Sequence, residues 1–285
     1  MRILVTGATG FFGSHIVPAL LSCGHEVTVL LRDERRLRTY DWAVNVRAFF
    51  HDMLDDRPAP AFSDLGRPDC LIHLAWPGLP NYKEPFHVEE NLPASYALIS
   101  QLVSQGLRHV IVGGTCLEYG MREGCLEEDF PTAPVIAYAM AKDQLRKKLE
   151  VLKAEKQFTL QWGRIFYIYG PGQSNKSLLS QLDAAIDSEQ AFFNMSLGEQ
   201  LRDYLPVETA ASYMEKLATT PSCEGIVNIC SGSPISIKAI VERRIAERKS
   251  FIKPNFGYYP YTDYEPLAFW GCTKKLDDYL GKNHE

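Results

Sequence analysis

The chain begins, after Met1, with Arg2-Ile3-Leu4-Val5-Thr6-Gly7-Ala8-Thr9-Gly10-Phe11-Phe12-Gly13, and continues Ser14-His15-Ile16-Val17-Pro18-Ala19-Leu20-Leu21-Ser22. A short apolar run, a turn with glycines at positions 7, 10 and 13, and apolar residues at helical spacing read as strand, loop and helix. Glycines in this pattern suit a tight turn, a close backbone approach to a pyrophosphate and close packing of the helix. The loop residues Gly7, Thr9, Gly10, Phe11, Phe12 and Gly13 are therefore candidates for holding a dinucleotide. Glycines at an ordinary strand-to-helix turn are the plainer alternative.

The same alternation continues outward from this loop. Strands are expected at Val27–Leu31, Val46–Phe50, Cys70–Leu74 and His109–Val112, with helices over about 87–105 and 135–153 and a strand over 159–167. Strands separated by helices predict a doubly wound α/β fold with a parallel sheet buried on both faces. After Gly170-Pro171-Gly172 the pattern loosens: helices are expected near 178–187, 208–219 and 237–249, and a strand near 226–229. The tail from Phe251 to Trp270 has no clear period. At about 150 residues per domain, 285 residues predict two lobes. They are a dinucleotide-binding lobe over 1–165 and a smaller substrate lobe over 166–285, whose segments near 203–229 return to the first.

With 46% hydrophobic and 23% charged residues the chain can bury a full core. Thirty Lys and Arg against 35 Asp and Glu leave a net charge of −5, which offers no basic field for nucleic acid. No apolar run reaches the length of a membrane span. The seven scattered cysteines contain no C-x-x-C pair, so neither a disulfide framework nor a metal site is expected. With no room before the first strand for a signal peptide, a cytoplasmic location is expected.

Three further features suggest chemistry. Tyr138-Ala139-Met140-Ala141-Lys142 places a phenol and an ammonium at i and i+4 on one helical face. A cation about 4 Å from a tyrosine is worth roughly 4 kcal/mol at an effective dielectric of 20, enough to lower the phenol's pKa by about three. Gly113-Gly114-Thr115 ends an expected parallel strand, where open α/β sheets build their sites. Its hydroxyl could share a hydrogen bond with the tyrosine and a substrate oxygen. The second strand ends Leu30-Leu31-Arg32, with Arg35, Arg36 and Arg38 beyond and no carboxylate at its tip. An acid there would bind a ribose 2′-hydroxyl, whereas arginines accommodate a 2′-phosphate, so Arg32 and Arg35 predict NADP(H). Asp33 and Glu34 leave open a self-neutralised turn.

In order along the chain, Thr6 to Gly13, Asp52, His73-Leu74-Ala75-Trp76, Asn91, Gly113-Gly114-Thr115 with Tyr119-Gly120, Tyr138 with Lys142, Gly163-Arg164 with Tyr169-Gly170-Pro171-Gly172-Gln173, and Arg202-Asp203-Tyr204 resemble the extended short-chain dehydrogenase/reductase family, in its nucleotide-sugar branch. The resemblance implies a Rossmann-type domain, a C-terminal nucleotide-sugar lobe and a homodimer. It also implies that Asp52 and Met53 approach the adenine and that Leu74, Ala75, Trp76, Asn91 and Ile165 line the dinucleotide. Arg202, Lys176 and Trp270 would meet the nucleotide diphosphate or base. Thr115, Tyr138 and Lys142 would be catalytic, with Thr115 and Cys116 beside the sugar.

Within that branch a dehydratase uses an Asp-Glu pair after the catalytic Thr; here those places hold Cys116 and Leu117. The arginines at the second strand favour NADPH as a consumed reductant. Gly114-Thr115-Cys116-Leu117-Glu118-Tyr119-Gly120 is similar to bacterial deoxysugar 4-ketoreductases. The expected reaction is reduction of the C4 ketone of a dTDP- or CDP-linked 4-keto-6-deoxyhexose, in deoxysugar and surface-polysaccharide biosynthesis. An NDP-sugar 4-epimerase and a non-catalytic NADP sensor are the alternatives.

Overall fold

The computed structural model describes residues 1–55 and 57–281. The first part runs β1 (Arg2–Thr6), α1 (Phe11–Ser22), β2 (Glu26–Leu31), α2 (Glu34–Leu37), β3 (Arg47–Phe50), β4 (Cys70–His73), α3 (Leu92–Ser104), β5 (His109–Thr115), β6 (Gly124–Leu126), α4 (Ala137–Lys156) and β7 (Thr159–Ile165). There follow β8 (Tyr167–Tyr169), α5 (Leu178–Asp187), β9 (Phe192–Asn194), β10 (Leu201–Pro206), α6 (Val207–Thr219), β11 (Gly225–Ile229), β12 (Pro234–Ser236), α7 (Ile237–Glu247), β13 (Lys253–Asn255), β14 (Phe269–Gly271) and α8 (Lys274–Leu280).

Seven strands form one sheet in the order β3-β2-β1-β4-β5-β7-β11, with every neighbouring pair parallel. The expected doubly wound α/β fold is the observed one. Alternation along β1 shows why both faces are covered. Ile3 and Val5 pack with Ile16, Val17 and Leu20 of α1 and Ala210 and Met214 of α6. Leu4, between them, faces the opposite layer, with Leu98, Ile99 and Leu102 of α3 and Leu145 and Leu149 of α4. Each such aliphatic side chain contributes roughly 1.5–3 kcal/mol on full burial.

Beyond β7 the chain builds smaller layers. Strands β12, β10 and β8 form a three-stranded sheet, while β13 pairs with β9 and β14 with β6. A separate apolar cluster joins Leu182 and Ala185 of α5 to Phe193, Met195, Val241 and Ile252. Strand β10, absent from the sequence reading, carries Arg202 and Asp203 in its interior. Asp203 is buried and accepts hydrogen bonds from the amides of Ser231 at 2.7 Å and Gly232 at 2.9 Å. Its charge is thus satisfied by residues distant in sequence.

Two more elements differ from expectation. The strand ending at Val112 continues through Thr115, because Gly113 and Gly114 leave room for neighbours. A Cβ on Gly113 would stand 2.9 Å from Leu74 Cδ2, and one on Gly114 would stand 2.2 Å from Trp162 Nε1. The long helix expected from residue 87 opens as a π-turn over His87–Asn91 before α3 begins. Among the described residues no helix is long and apolar enough to cross a membrane.

The glycine loop lies at the topological switch point between β1 and β4, where the strand order reverses. Gly7 has φ +74°, and a Cβ there would lie 2.7 Å from the amide nitrogen of Ala75. A Cβ on Gly13 would meet the Gly7 carbonyl oxygen at 2.2 Å, whereas one on Gly10 meets it at 3.1 Å. Gly13→Ala should therefore destabilise the protein by about 1–3 kcal/mol, and Gly10→Ala clearly less, as read from urea unfolding midpoints. Equal losses would overturn this account of the loop's packing.

Candidate active site

At the end of β1 the loop feeds α1, whose N-cap, Gly10, makes no side-chain capping bond and whose first turn holds no acid. The helix therefore presents its free N–H groups and positive end without competition. Tyr40 braces the loop by donating its hydroxyl proton to the Thr9 carbonyl at 3.0 Å. The N–H groups at this helix start suit an anionic group such as a pyrophosphate, and the bare Gly7 and Gly13 let the loop pack closely on Leu74 and Ala75 and on itself. Leu74 and Ala75, leaving β4, stand beside it, and both their amides are within 3.2 Å of the Thr6 hydroxyl. At the next strand tips, Arg32 lies 3.7 Å from Asp52, both partly exposed. Arg35, in α2, is exposed, and Met53 and Ile165 are half-buried.

Thr115 ends β5 and Tyr138 lies in the first turn of α4. The Thr115 side chain acts on the phenol, opposing the rise in its pKa, so the two residues that the sequence reading pairs do come together. The Tyr138 amide, one of the helix's free N–H groups, donates to the Tyr82 carbonyl at 3.0 Å. This ties the 77–86 loop to the helix start. Tyr82 also packs on the Tyr138 ring at 5.6 Å.

Lys142, one turn on, is buried. It donates to the Gly113 carbonyl at 2.7 Å and lies 3.8 Å from the centre of the Trp76 ring. Burial pushes its pKa down to about 7, against the pull of the Glu118 carboxylate. Burial also raises Tyr138 well above an ordinary phenol, with the Thr115 side chain opposing it. The sequence reading expected an ammonium about 4 Å away to depress the tyrosine. In this structure desolvation dominates, because the phenol is enclosed by Trp76, Tyr82 and His87.

Sequence reasoning did not assign the group that organises this region. Glu118 is fully buried and accepts from the Thr115 amide at 2.8 Å, from Trp162 Nε1 at 3.0 Å and from Arg164 Nε at 3.0 Å. With the Thr115 hydroxyl accepting from the Leu117 amide, this is a capping box for the short turn Cys116–Tyr119. Its Thr-x-x-Glu spacing was legible in the sequence. Arg164 in turn lies over the Tyr119 ring at 4.3 Å, and Tyr119 donates to Asn228 at 2.8 Å.

The remaining candidates are spread out. Cys116 is buried beside Phe166 and Phe269, and burial pushes its thiol up, away from nucleophilic character. Asn91 closes the π-turn and donates to the Pro77 carbonyl at 2.9 Å. Arg202, expected on phosphate, is 3% exposed; it pairs with Glu265 at 3.1 Å and donates to the carbonyls of Leu201 and Leu267. Lys176 is exposed before α5, and Trp270 lies in β14 opposite Cys125. A cleft of about 630 Å³ opens between the Tyr169–Gln173 loop, α5 and α7, and none of Thr115, Tyr138 and Lys142 lines it. Tyr82, His87 and Glu265 were also missed, since only tertiary packing brings them to these groups.

The fold is that of a doubly wound, Rossmann-like α/β protein with a glycine loop at its switch point, and comparison with known proteins gives its family. The model of the NAD dependent epimerase/dehydratase family matches residues 3–230, and the chain belongs to that family. A dTDP-6-deoxy-L-talose 4-dehydrogenase (NAD(+)) of Aggregatibacter actinomycetemcomitans is 29% identical over 95% of this chain and 100% of its own. A GDP-6-deoxy-D-talose 4-dehydrogenase of the same organism is 22% identical, covering 100% of this chain and 92% of its own. Among solved structures, the UDP-N-acetylglucosamine 4-epimerase of Methanobrevibacter ruminantium M1, in complex with UDP-N-acetylmuramic acid, shares the fold. Its TM-score is 0.86 at 23% identity, covering 98% of this chain and 91% of that one.

Two outcomes follow from the buried charges. Glu118→Gln leaves Arg164 uncompensated and should cost roughly 3–5 kcal/mol in chemical denaturation, most of it recovered in Glu118→Gln/Arg164→Met. A double variant as unstable as the single would contradict the pairing. For Lys142 the sign is opposite to that of a favourable ion pair. Its folded pKa of about 7 lies below the ordinary lysine value, so the unfolded chain binds more protons between about pH 7 and 10.4. The burial cost is full below pH 7 and is relieved as pH rises through that window. Lys142→Met should thus be more stable than the parent at pH 6, with the advantage shrinking toward pH 10. An advantage independent of pH would refute the assignment.

Proposed function

We propose that the protein transfers hydride at C4 of a nucleotide-linked 6-deoxyhexose, running as an NADPH-dependent reductase of the 4-keto sugar. The observation that carries the reading is the convergence of Thr115, at the C-terminal end of β5, with Tyr138 and Lys142 of α4, the lysine bonded at 2.7 Å to the Gly113 carbonyl of the same strand. Both curated relatives described above are named as 4-dehydrogenases of nucleotide-linked 6-deoxytaloses, the same carbon and the same sugar class.

Gly7, Thr9, Gly10, Phe11, Phe12 and Gly13 would hold the dinucleotide pyrophosphate, with Leu74, Ala75 and Ile165 beside it and Asp52 and Met53 near the adenine. A reduced nicotinamide supplies the hydride when bound. Thr115 donates a hydrogen bond to the C4 oxygen, and Tyr138 gives that oxygen its proton as negative charge develops there. A phenol kept protonated by burial serves as an acid. Lys142, in its protonated form, places positive charge beside the developing anion. A division into a cofactor lobe over 1–165 and a substrate lobe over 166–285 suits this arrangement. A homodimer would pack through α3 and α4, and Met140 and Val151 of α4 are exposed.

The preference for NADPH rests on the surroundings of the β2 tip. The Asp33 side chain accepts from the Arg35 amide as the cap of α2, and Glu34 pairs with Arg38. The two acids that threatened to neutralise the turn are thus engaged. Among the described residues Arg35 and Arg36 make no salt bridge, and Arg32 reaches Asp52 only at 3.7 Å. The relative named for NAD(+) sets the opposite expectation. Steady-state oxidation of NADPH and NADH with dTDP- or CDP-4-keto-6-deoxyglucose decides between them. NADPH should be favoured at least about tenfold in kcat/KM, and Arg32→Ala/Arg35→Ala should remove most of that preference while sparing NADH. Tyr138→Phe should abolish turnover while leaving cofactor affinity in place. Equal use of both cofactors would overturn the NADPH assignment. An inverted C4 centre without net NADPH consumption would indicate an epimerase.

A further inference from the structure

We propose that Trp76 is a positioning residue for Lys142: the indole, clamped in place by His87, seats the lysine ammonium on its face and keeps water away from it. The inference rests on the reading of Lys142 as the lysine of the catalytic pair, and it gives Trp76 a role distinct from lining a dinucleotide.

The clamp is readable from donors and acceptors. Trp76 Nε1–H donates to His87 Nδ1 at 3.0 Å, and Asn91 Nδ2 lies 3.3 Å from the same nitrogen. Nδ1 is therefore an acceptor, and the other ring nitrogen, Nε2, carries the proton that goes to the Asn81 carbonyl at 3.0 Å. His87 is locked as one neutral tautomer, which burial also favours. It opens the π-turn before α3, an irregularity common at functional positions. With its edge tied to His87, the indole presents its face to the Lys142 ammonium 3.8 Å from the ring centre and meets the Tyr138 ring edge-on at 6.1 Å. The Gly113 carbonyl takes one ammonium proton at 2.7 Å. Trp76, at 9% exposure, roofs the site from the loop after β4.

Two effects of the indole oppose each other. Its face attracts the ammonium, which is worth roughly one decade of proton affinity. Its bulk also excludes water and forms part of the burial that takes Lys142 down to about 7, roughly three decades below an ordinary lysine. The larger effect wins, so admitting water at this position should raise the lysine's pKa. The titratable groups facing Lys142 are His73 at the end of β4, His87 before α3, Tyr138 on its own helix and Glu118 after β5. Burial holds both histidines neutral near pH 7 and Tyr138 protonated, so the negative charge comes from Glu118, whose pKa burial raises and the pairing with Arg164 opposes.

The test is a pH titration of the Lys142 side chain by NMR in the full-length protein labelled at lysine, without cofactor or substrate, with Lys142→Met to assign the signal. Trp76→Phe retains a ring over the lysine, so its midpoint should stay within about half a pH unit of the parent. Trp76→Ala admits water, and its midpoint should rise by at least about one unit, a tenfold gain in proton affinity. An unchanged midpoint in folded Trp76→Ala, or an equal rise in Trp76→Phe, overturns the proposal. Should Trp76→Ala fail to fold, the parent carries the test. Its Trp76 indole N–H resonance should titrate with the Lys142 midpoint, and this transition should vanish in Lys142→Met. Its persistence there overturns the proposal. Because no nucleotide sugar enters, failure of the reductase reading would appear as absent turnover with these titrations intact.

Discussion

Burying the Glu118 carboxylate at the tip of β5 is tolerable only because every group that reaches it is a donor. The Thr115 amide, the Trp162 indole and the Arg164 guanidinium converge on it from two neighbouring strands and the turn between. Removing any donor would leave charge in a place without water, so the conformation is determined on all sides. Thr115 is held as a consequence, and Gly114 must remain bare, since a Cβ there would reach Glu118 Oε1 at 2.6 Å. The start of α4 is tied down from the other side through the Tyr82 carbonyl.

Around that anchored tip the candidate catalytic groups are kept away from water. The same burial pushes Lys142 down and Tyr138 up, so both are biased toward their uncharged forms. A tyrosine that stays protonated is suited to give a proton to a ketone oxygen. A lysine near its midpoint at neutral pH has a charge sensitive to small changes in its surroundings, and the Trp76 face, the Gly113 carbonyl and Glu118 are those surroundings. The glycine loop is separate in construction. There, backbone meets backbone, and it is the absence of side chains that permits the approach.

The fold class was legible because its signals are local and periodic. Ile3, Leu4 and Val5 announce a strand buried on both faces, and Gly7, Gly10 and Gly13 announce a turn against a helix. The Tyr138 and Lys142 spacing was legible for the same reason, as was the long periodic helix that carries them. Strand β10 was not, because its Arg202 and Asp203 look like surface residues until Glu265, Ser231 and Gly232 arrive to satisfy them. Glu118 left a trace in its capping-box spacing, but its ion pair with Arg164 spans 46 positions and no local pattern encodes it.

The sequence by itself determined the parallel α/β architecture, the glycine turn at the start of α1 and the four-residue spacing of Tyr138 and Lys142. All of these follow from periodicity and from what glycine permits. Tertiary structure decided the electrostatic state of that pair. Whether a lysine beside a tyrosine acts as a full cation or as a half-titrated amine depends on how much water remains around it. That is settled by Trp76, Tyr82 and His87, brought in from another loop and turn, and not by the four-residue spacing on the helix.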